Sequence, residues 1–105
     1  MKFDFKSDKE TIALFELVVE FLGTYFGYNE QEAIMLVNNF YQFQKQRGLH
    51  DDDYHHDGAY RVTCNLQYLF VLKEKVDFNK WAEENHFFNP PIEAINRYNE
   101  VFGKL

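Results

Sequence analysis

Residues 58–75 read GAYRVTCNLQYLFVLKEK, and the fold class turns on whether they form a helix or a strand. At helical spacing, Ala59, Val62, Leu66 and Leu69 fall on one line, and Tyr60, Cys64, Tyr68 and Leu72 on a second beside it. At strand spacing the segment alternates from Tyr60 to Tyr68, with Arg61, Thr63, Asn65 and Gln67 on the opposite face. The residue types Tyr, Val, Thr and Phe lean toward strand. Length argues the other way, because a run from 59 to 72 is long for a strand. The available partner, KFDFK at residues 2–6, is short and reads equally well as an extended arm. Helix is the reading adopted. The alternative is an α+β chain with residues 2–6 and 59–70 as strands.

Upstream the pattern is helical. Ser7 stands three before Glu10, the spacing of a capping box. Ile12, Phe15, Val19, Leu22 and Phe26 then recur at steps of three and four, with Leu14, Val18, Phe21 and Tyr25 as a second stripe. Only Glu16, Glu20 and Thr24 form a polar line, so this helix is expected at the centre of the core. Asn29 and Glu32 repeat the capping-box spacing before Ala33, Val37, Phe40 and Tyr41. Lys45 and Arg47 suit a helix C-terminus, and Gly48 suits its stop. Residues 49–56 are then expected to be a loop, with Asp57 capping the next helix.

Downstream, Asp77 precedes a short expected helix over 78–85 that carries Phe78, Trp81 and Ala82. Asn89-Pro90-Pro91 interrupts it. A last helix places Ile92, Ile95, Tyr98 and Phe102 on one face, with Pro91 in its first turn. The expected fold is all-α, a compact single-domain bundle of four to five helices over residues 1–105.

Composition limits function. The chain has 105 residues, 27% charged and 46% hydrophobic, which suits one globular domain. Twelve Phe, seven Tyr and one Trp exceed what a small core needs, so several rings are expected at the surface, where Tyr and Trp favour interfaces. Net charge is −6, and the octet HDDDYHHD at residues 50–57 holds four of those negative charges. Basic residues cluster only at Lys45–Arg47 and Lys73–Lys75, too few to neutralise a run of phosphates, so no nucleic-acid partner is expected. Cys64 is the single cysteine, which excludes an intrachain disulfide and a cysteine-rich zinc site. Its neighbours Thr63 and Leu66 point to a packed thiol. The N-terminal apolar run is broken by Glu16 and Glu20, and no stretch reaches the roughly 20 apolar residues of a membrane span. The expectations are no membrane partner and a cytoplasmic location.

The octet is the natural place to seek a site. Asp and His ligate borderline divalent metals, and His50, His55, His56 and Asp57 form the alternative metal set. Their spacing matches no fixed ligand template. His56-Asp57 reproduces the dipeptide of the HD phosphohydrolases, but the likeness covers only those two residues. Glu83-x-x-His86 resembles the unit of ferritin-like carboxylate proteins, which needs a second copy that the chain lacks. Ser7 is the sole serine and the glycines are isolated, so neither a serine triad nor a phosphate-cradling loop can be assembled. Arg61 and Asn65, four apart on an apolar segment, must find partners if buried. The expectation for Arg61 is a carboxylate of residues 51–57, or Glu16 or Glu20; the functional alternative is an anionic group in a pocket.

A localised acidic patch edged by Tyr suits docking to a basic protein. In size, acidity and helicity the chain resembles bacteriocin and toxin immunity proteins, a resemblance of bulk properties without a motif. It implies a small non-enzymatic protein-binding domain, possessing no cofactor, that acts as an inhibitor or immunity-type protein. The expected partner-binding residues are Asp51, Asp52, Asp53, Tyr54, His55, His56, Asp57, Tyr60 and Arg61. The alternative function is a metal-binding protein or metal-dependent hydrolase, and the surplus of aromatics is also compatible with a homodimer.

Overall fold

The structure is a computed structural model that describes residues 2–105. Five α-helices follow in order: α1 (Lys9–Phe26), α2 (Glu30–Gln46), α3 (Asp51–Asn65), α4 (Phe78–Glu84) and α5 (Ile92–Phe102), with a π-helical segment (Leu66–Val71) continuing α3. No strand occurs among the described residues. The α+β alternative is therefore overturned. Residues 59–70 are helical, and residues 2–6 form an irregular arm whose Phe3 and Phe5 are buried.

α1 is the central element, as its double apolar stripe requires. It packs against α2, α3 and α5, and Leu14, Phe15, Val18 and Leu22 are fully enclosed. Phe15 meets Phe5, Tyr41 and Tyr54 edge-on, at centroid distances of 5.7, 5.9 and 4.9 Å. Phe5 stacks on Tyr41 at 3.8 Å, which fastens the N-terminal arm to α2.

Three local expectations are corrected. Asp8, not Ser7, caps α1: its carboxylate accepts from the Thr11 N–H at 2.7 Å, while the Ser7 hydroxyl donates to Asp51. Of the loop expected over residues 49–56 only Leu49 and His50 lie outside a helix, and residues 51–57 form the first two turns of α3. Three aspartates in a first turn complement the positive end of the helix dipole, and the Asp53 carboxylate accepts from the His50 N–H at 2.8 Å. Asp57 consequently lies at the end of a helical stretch and is not an N-cap. The break falls at Gly58, with φ 80° and ψ 164°, a conformation essentially reserved for glycine. The Asn29–Glu32 capping box and the Asp77 cap of α4 are present as expected.

The aromatic rings are also placed otherwise than expected. Among the described residues Phe88 is the one exposed ring, at 55%. The tyrosines turn inward and their hydroxyls fasten connecting segments: Tyr60 donates to the Asn85 carbonyl, and Tyr68 to the Val76 carbonyl, each at 2.6 Å. The Tyr28 and Tyr41 hydroxyls likewise donate to Gln67 and Asp51, so four of the seven tyrosines serve as internal ties.

The Asp8 cap has a pH signature. The Thr11 backbone N–H first, and the Thr11 side chain second, hold the Asp8 carboxyl below its ordinary value of 3.8. A lowered folded-state value stabilises the fold fully above the unfolded-state value, and that gain disappears as pH falls through the folded-state value. Asp8→Ala is expected to cost about 1 kcal/mol at neutral pH. In urea titrations the gap between variant and wild type should close as pH drops below 3.8. A gap that persists unchanged in acid would show that the carboxylate is not the source of the stabilisation.

Candidate functional site

Five of the nine expected site residues, His55, His56, Asp57, Tyr60 and Arg61, line one cleft of about 400 Å³ where α3 kinks past α5. Pro90, Ala94, Ile95 and Tyr98 supply the opposite wall. The kink at Gly58 makes this possible, because it turns the second half of α3 away from the line of the first and opens space beside α5.

The nine expected partner-binding residues do not share one surface. Asp52, Asp53, His56 and Asp57 are exposed. Asp51 turns inward, accepting from the Tyr41 hydroxyl at 2.7 Å and from the Ser7 hydroxyl. Tyr54 and Tyr60 are buried in the core cluster, at 4% and 7% exposure. His55 is half-buried, with Nε2 hydrogen-bonded to the Thr11 hydroxyl at 3.0 Å. The difference follows from helical geometry. Once residues 51–57 are helical, successive side chains point about 100° apart, and 51, 54 and 55 fall on the core side.

Among the described residues Arg61 pairs with no carboxylate. Its Nε donates to the Phe87 carbonyl at 3.0 Å and one terminal nitrogen to the Phe88 carbonyl at 3.4 Å, with the guanidinium over the Phe87 ring. The expected carboxylate partners are engaged elsewhere or exposed: Glu20 binds Arg97 at 2.9 Å, and Glu16 is exposed. Arg61 thus holds the chain between α4 and α5 in place while lining the cleft. Asn65 lies outside the cleft, donating to Asp57 at 3.4 Å.

Among the described residues no group of three or more His, Cys, Asp or Glu is arranged to hold a metal ion, and His50, His55, His56 and Asp57 do not converge as one. Glu83 and His86 do not share a helix face, because α4 ends at Glu84 and His86 has a left-handed backbone, φ 59°. Cys64 is fully buried, and burial first pushes its thiol up to about 12, so it is a packing residue at neutral pH.

What sequence reasoning missed is the apolar half of the site. Ile92 and Ile95, read as core, are 62% and 40% exposed. The buried positions of α5 are Ala94, fully enclosed, with Tyr98, Val101 and Phe102 packed against the core cluster. Pro90 and Ile95 line the cleft with His56 and Asp57, and Phe88 and Ile92 stand exposed on the same segment of chain. The available signal was Ala94, a small residue that lets α5 approach α1 and α3 closely. Among the described residues no helix is long and apolar enough to cross a membrane. Comparison with protein-family models matches no family, and comparison with curated proteins and with solved structures yields no match.

Proposed function

We propose that the chain is a small cytoplasmic protein-binding domain that docks a basic partner at the cleft between α3 and α5. One observation carries this reading: Ile95, an exposed apolar side chain of α5, shares the cleft with the outward Asp57 of α3. Among the described residues six large hydrophobic side chains stand exposed, and three of them, Phe88, Ile92 and Ile95, belong to the segment 88–95. A dry apolar centre beside a charged rim is the usual anatomy of a protein interface. Asp57 stands at the cleft and Asp52 and Asp53 are exposed on the same helix, and this charge selects a basic partner and speeds its approach. Arg61 and the Tyr60 hydroxyl brace the same wall from behind. An inhibitor or immunity-type role fits this arrangement, because it needs a stable surface and no catalytic group.

The test is affinity capture from the native host with the full chain as bait. Wild type and Met35→Ser, a change on exposed α2 surface, should recover the same partner. Ile95→Asp should reduce recovery by about tenfold or more, the loss typical of a central apolar contact. Asp52→Asn with Asp57→Asn should make recovery several-fold weaker and less sensitive to salt. Equal recovery of one partner by all of these variants would remove the cleft from the reading. Self-association through the same apolar stretch would instead appear as a dimer in light scattering, abolished by Ile95→Asp.

A further inference from the structure

One residue from each of the two short basic clusters of the sequence lines a second cleft, formed by α2 and the π-helical segment. Arg47, just past the end of α2, and Lys73, just past the π-helical segment, line a cleft of about 630 Å³ with Phe43, Leu69 and Phe70. The three apolar residues are half-buried, so the apolar surface is recessed and not a raised patch. The volume is within the range of small-ligand pockets, which combine apolar walls with a few placed polar groups.

Both cations are exposed and, among the described residues, neither has a carboxylate partner. The Arg47 guanidinium lies over the Phe43 ring at 5.1 Å, and one of its nitrogens donates to the Gln44 side chain at 3.3 Å. Among the described residues the ion pairs are Arg97 with Glu20 and with Glu100, and neither Arg47 nor Lys73 takes part. Lys73 and Glu74 both have left-handed backbones, φ 54° and 59°, and side chains other than glycine rarely adopt them in succession. Such strain concentrates where a side chain must be aimed, and π-helical turns concentrate at binding sites. Two groups oppose an anion here. Glu74 lines the cleft, and helix C-termini carry partial negative charge. The second is muted, because the last carbonyls are already bonded: Phe43 and Gln44 to the Arg47 N–H, Lys45 to Gly48, and Gln67 to Leu72. Two cations against one carboxylate leave the cleft positive in a chain of net charge −6.

The geometry points to a binding site for a small amphiphilic carboxylate, with its hydrocarbon tail on Phe43, Leu69 and Phe70 and its carboxylate between Arg47 and Lys73. Arg supplies paired donors suited to a carboxylate and Lys a mobile point charge. The aromatic floor accepts a tail without demanding a particular shape.

Dodecanoate, below its micelle concentration, is the probe, read by calorimetry and by amide shifts in two-dimensional NMR of the full chain. Saturable binding with shifts confined to residues 43–48 and 69–75 is expected. Dodecyltrimethylammonium, with the same tail and opposite charge, should bind at least about tenfold more weakly, as should dodecanoate to Arg47→Gln with Lys73→Gln. Lys80→Gln, exposed on α4, should bind as wild type does. Absent binding, shifts spread over the surface, or equal affinity for the two amphiphiles or for the double variant would overturn the site. None of these outcomes bears on the α3–α5 cleft.

Discussion

Phe15→Ala is expected to remove about 3–5 kcal/mol of stability, the range for deleting a fully buried aromatic ring. Phe15 is wholly enclosed at the centre of α1 and is the ring that Phe5, Tyr41 and Tyr54 all approach edge-on. Its loss takes away transfer energy and leaves a cavity bounded by three stiff rings on three separate segments. Those rings cannot collapse together without moving the N-terminal arm, α2 and α3. For a domain of this size, whose total stability is of order 5–15 kcal/mol, that is a large share of the whole, and the unfolding midpoint should fall steeply. Urea or thermal unfolding followed by circular dichroism measures it. Ile92→Ala, at 62% exposure, is the contrast, and should shift stability by no more than about 0.5 kcal/mol. A cost for Phe15→Ala below about 1 kcal/mol would contradict the central position of α1.

The second large effect concerns the acid cluster. Asp51→Ala is expected to cost about 1–3 kcal/mol, because it leaves the Tyr41 hydroxyl, in a ring 2% exposed, without its acceptor. Burial first, and the hydrogen bond to Asp51 second, push the Tyr41 phenol up to about 12, so Tyr41 remains a donor throughout the neutral range. The Ser7 hydroxyl loses the same acceptor, and with it a tie between the N-terminal arm and α3. Asp51→Asn keeps an acceptor oxygen and should lose less. Asp52→Asn, one residue along and exposed, should be neutral to within about 0.5 kcal/mol. Equal effects at 51 and 52 would show that the octet behaves as a uniform acidic patch. The same contrast governs partner binding, where changes at Asp52 and Asp57 report on the surface and a change at Asp51 reports on folding.

Much of the candidate site was legible in the sequence. The octet and the start of the following segment do supply His55, His56, Asp57 and Arg61 to one cleft. The opposite wall was not legible. Ile92 and Ile95 satisfy a helical core pattern, and nothing in the local chain distinguishes them from residues that are buried. The Arg61 partners were not legible either, since backbone carbonyls accept a guanidinium as well as carboxylates do, and every residue offers one.

The all-helical class and the central place of α1 could be read from the amino-acid sequence alone, while the end of α1 at Gly27 and the start of α3 at Asp51 could not. What could be read depends on interactions within a few residues: the three-to-four spacing of apolar side chains and the capping box at Asn29. Tertiary structure alone decided which acid of HDDDYHHD faces inward and which face of α5 is covered. Asp51 and Asp52 are chemically identical, and only Tyr41 and Ser7, 10 and 44 residues away, make one of them structural. On α5, close approach to α1 and α3 at Ala94 leaves Ile92 and Ile95 outside. Burial at a helix contact is set by how near the neighbouring helix comes, and that distance is fixed by residues far along the chain.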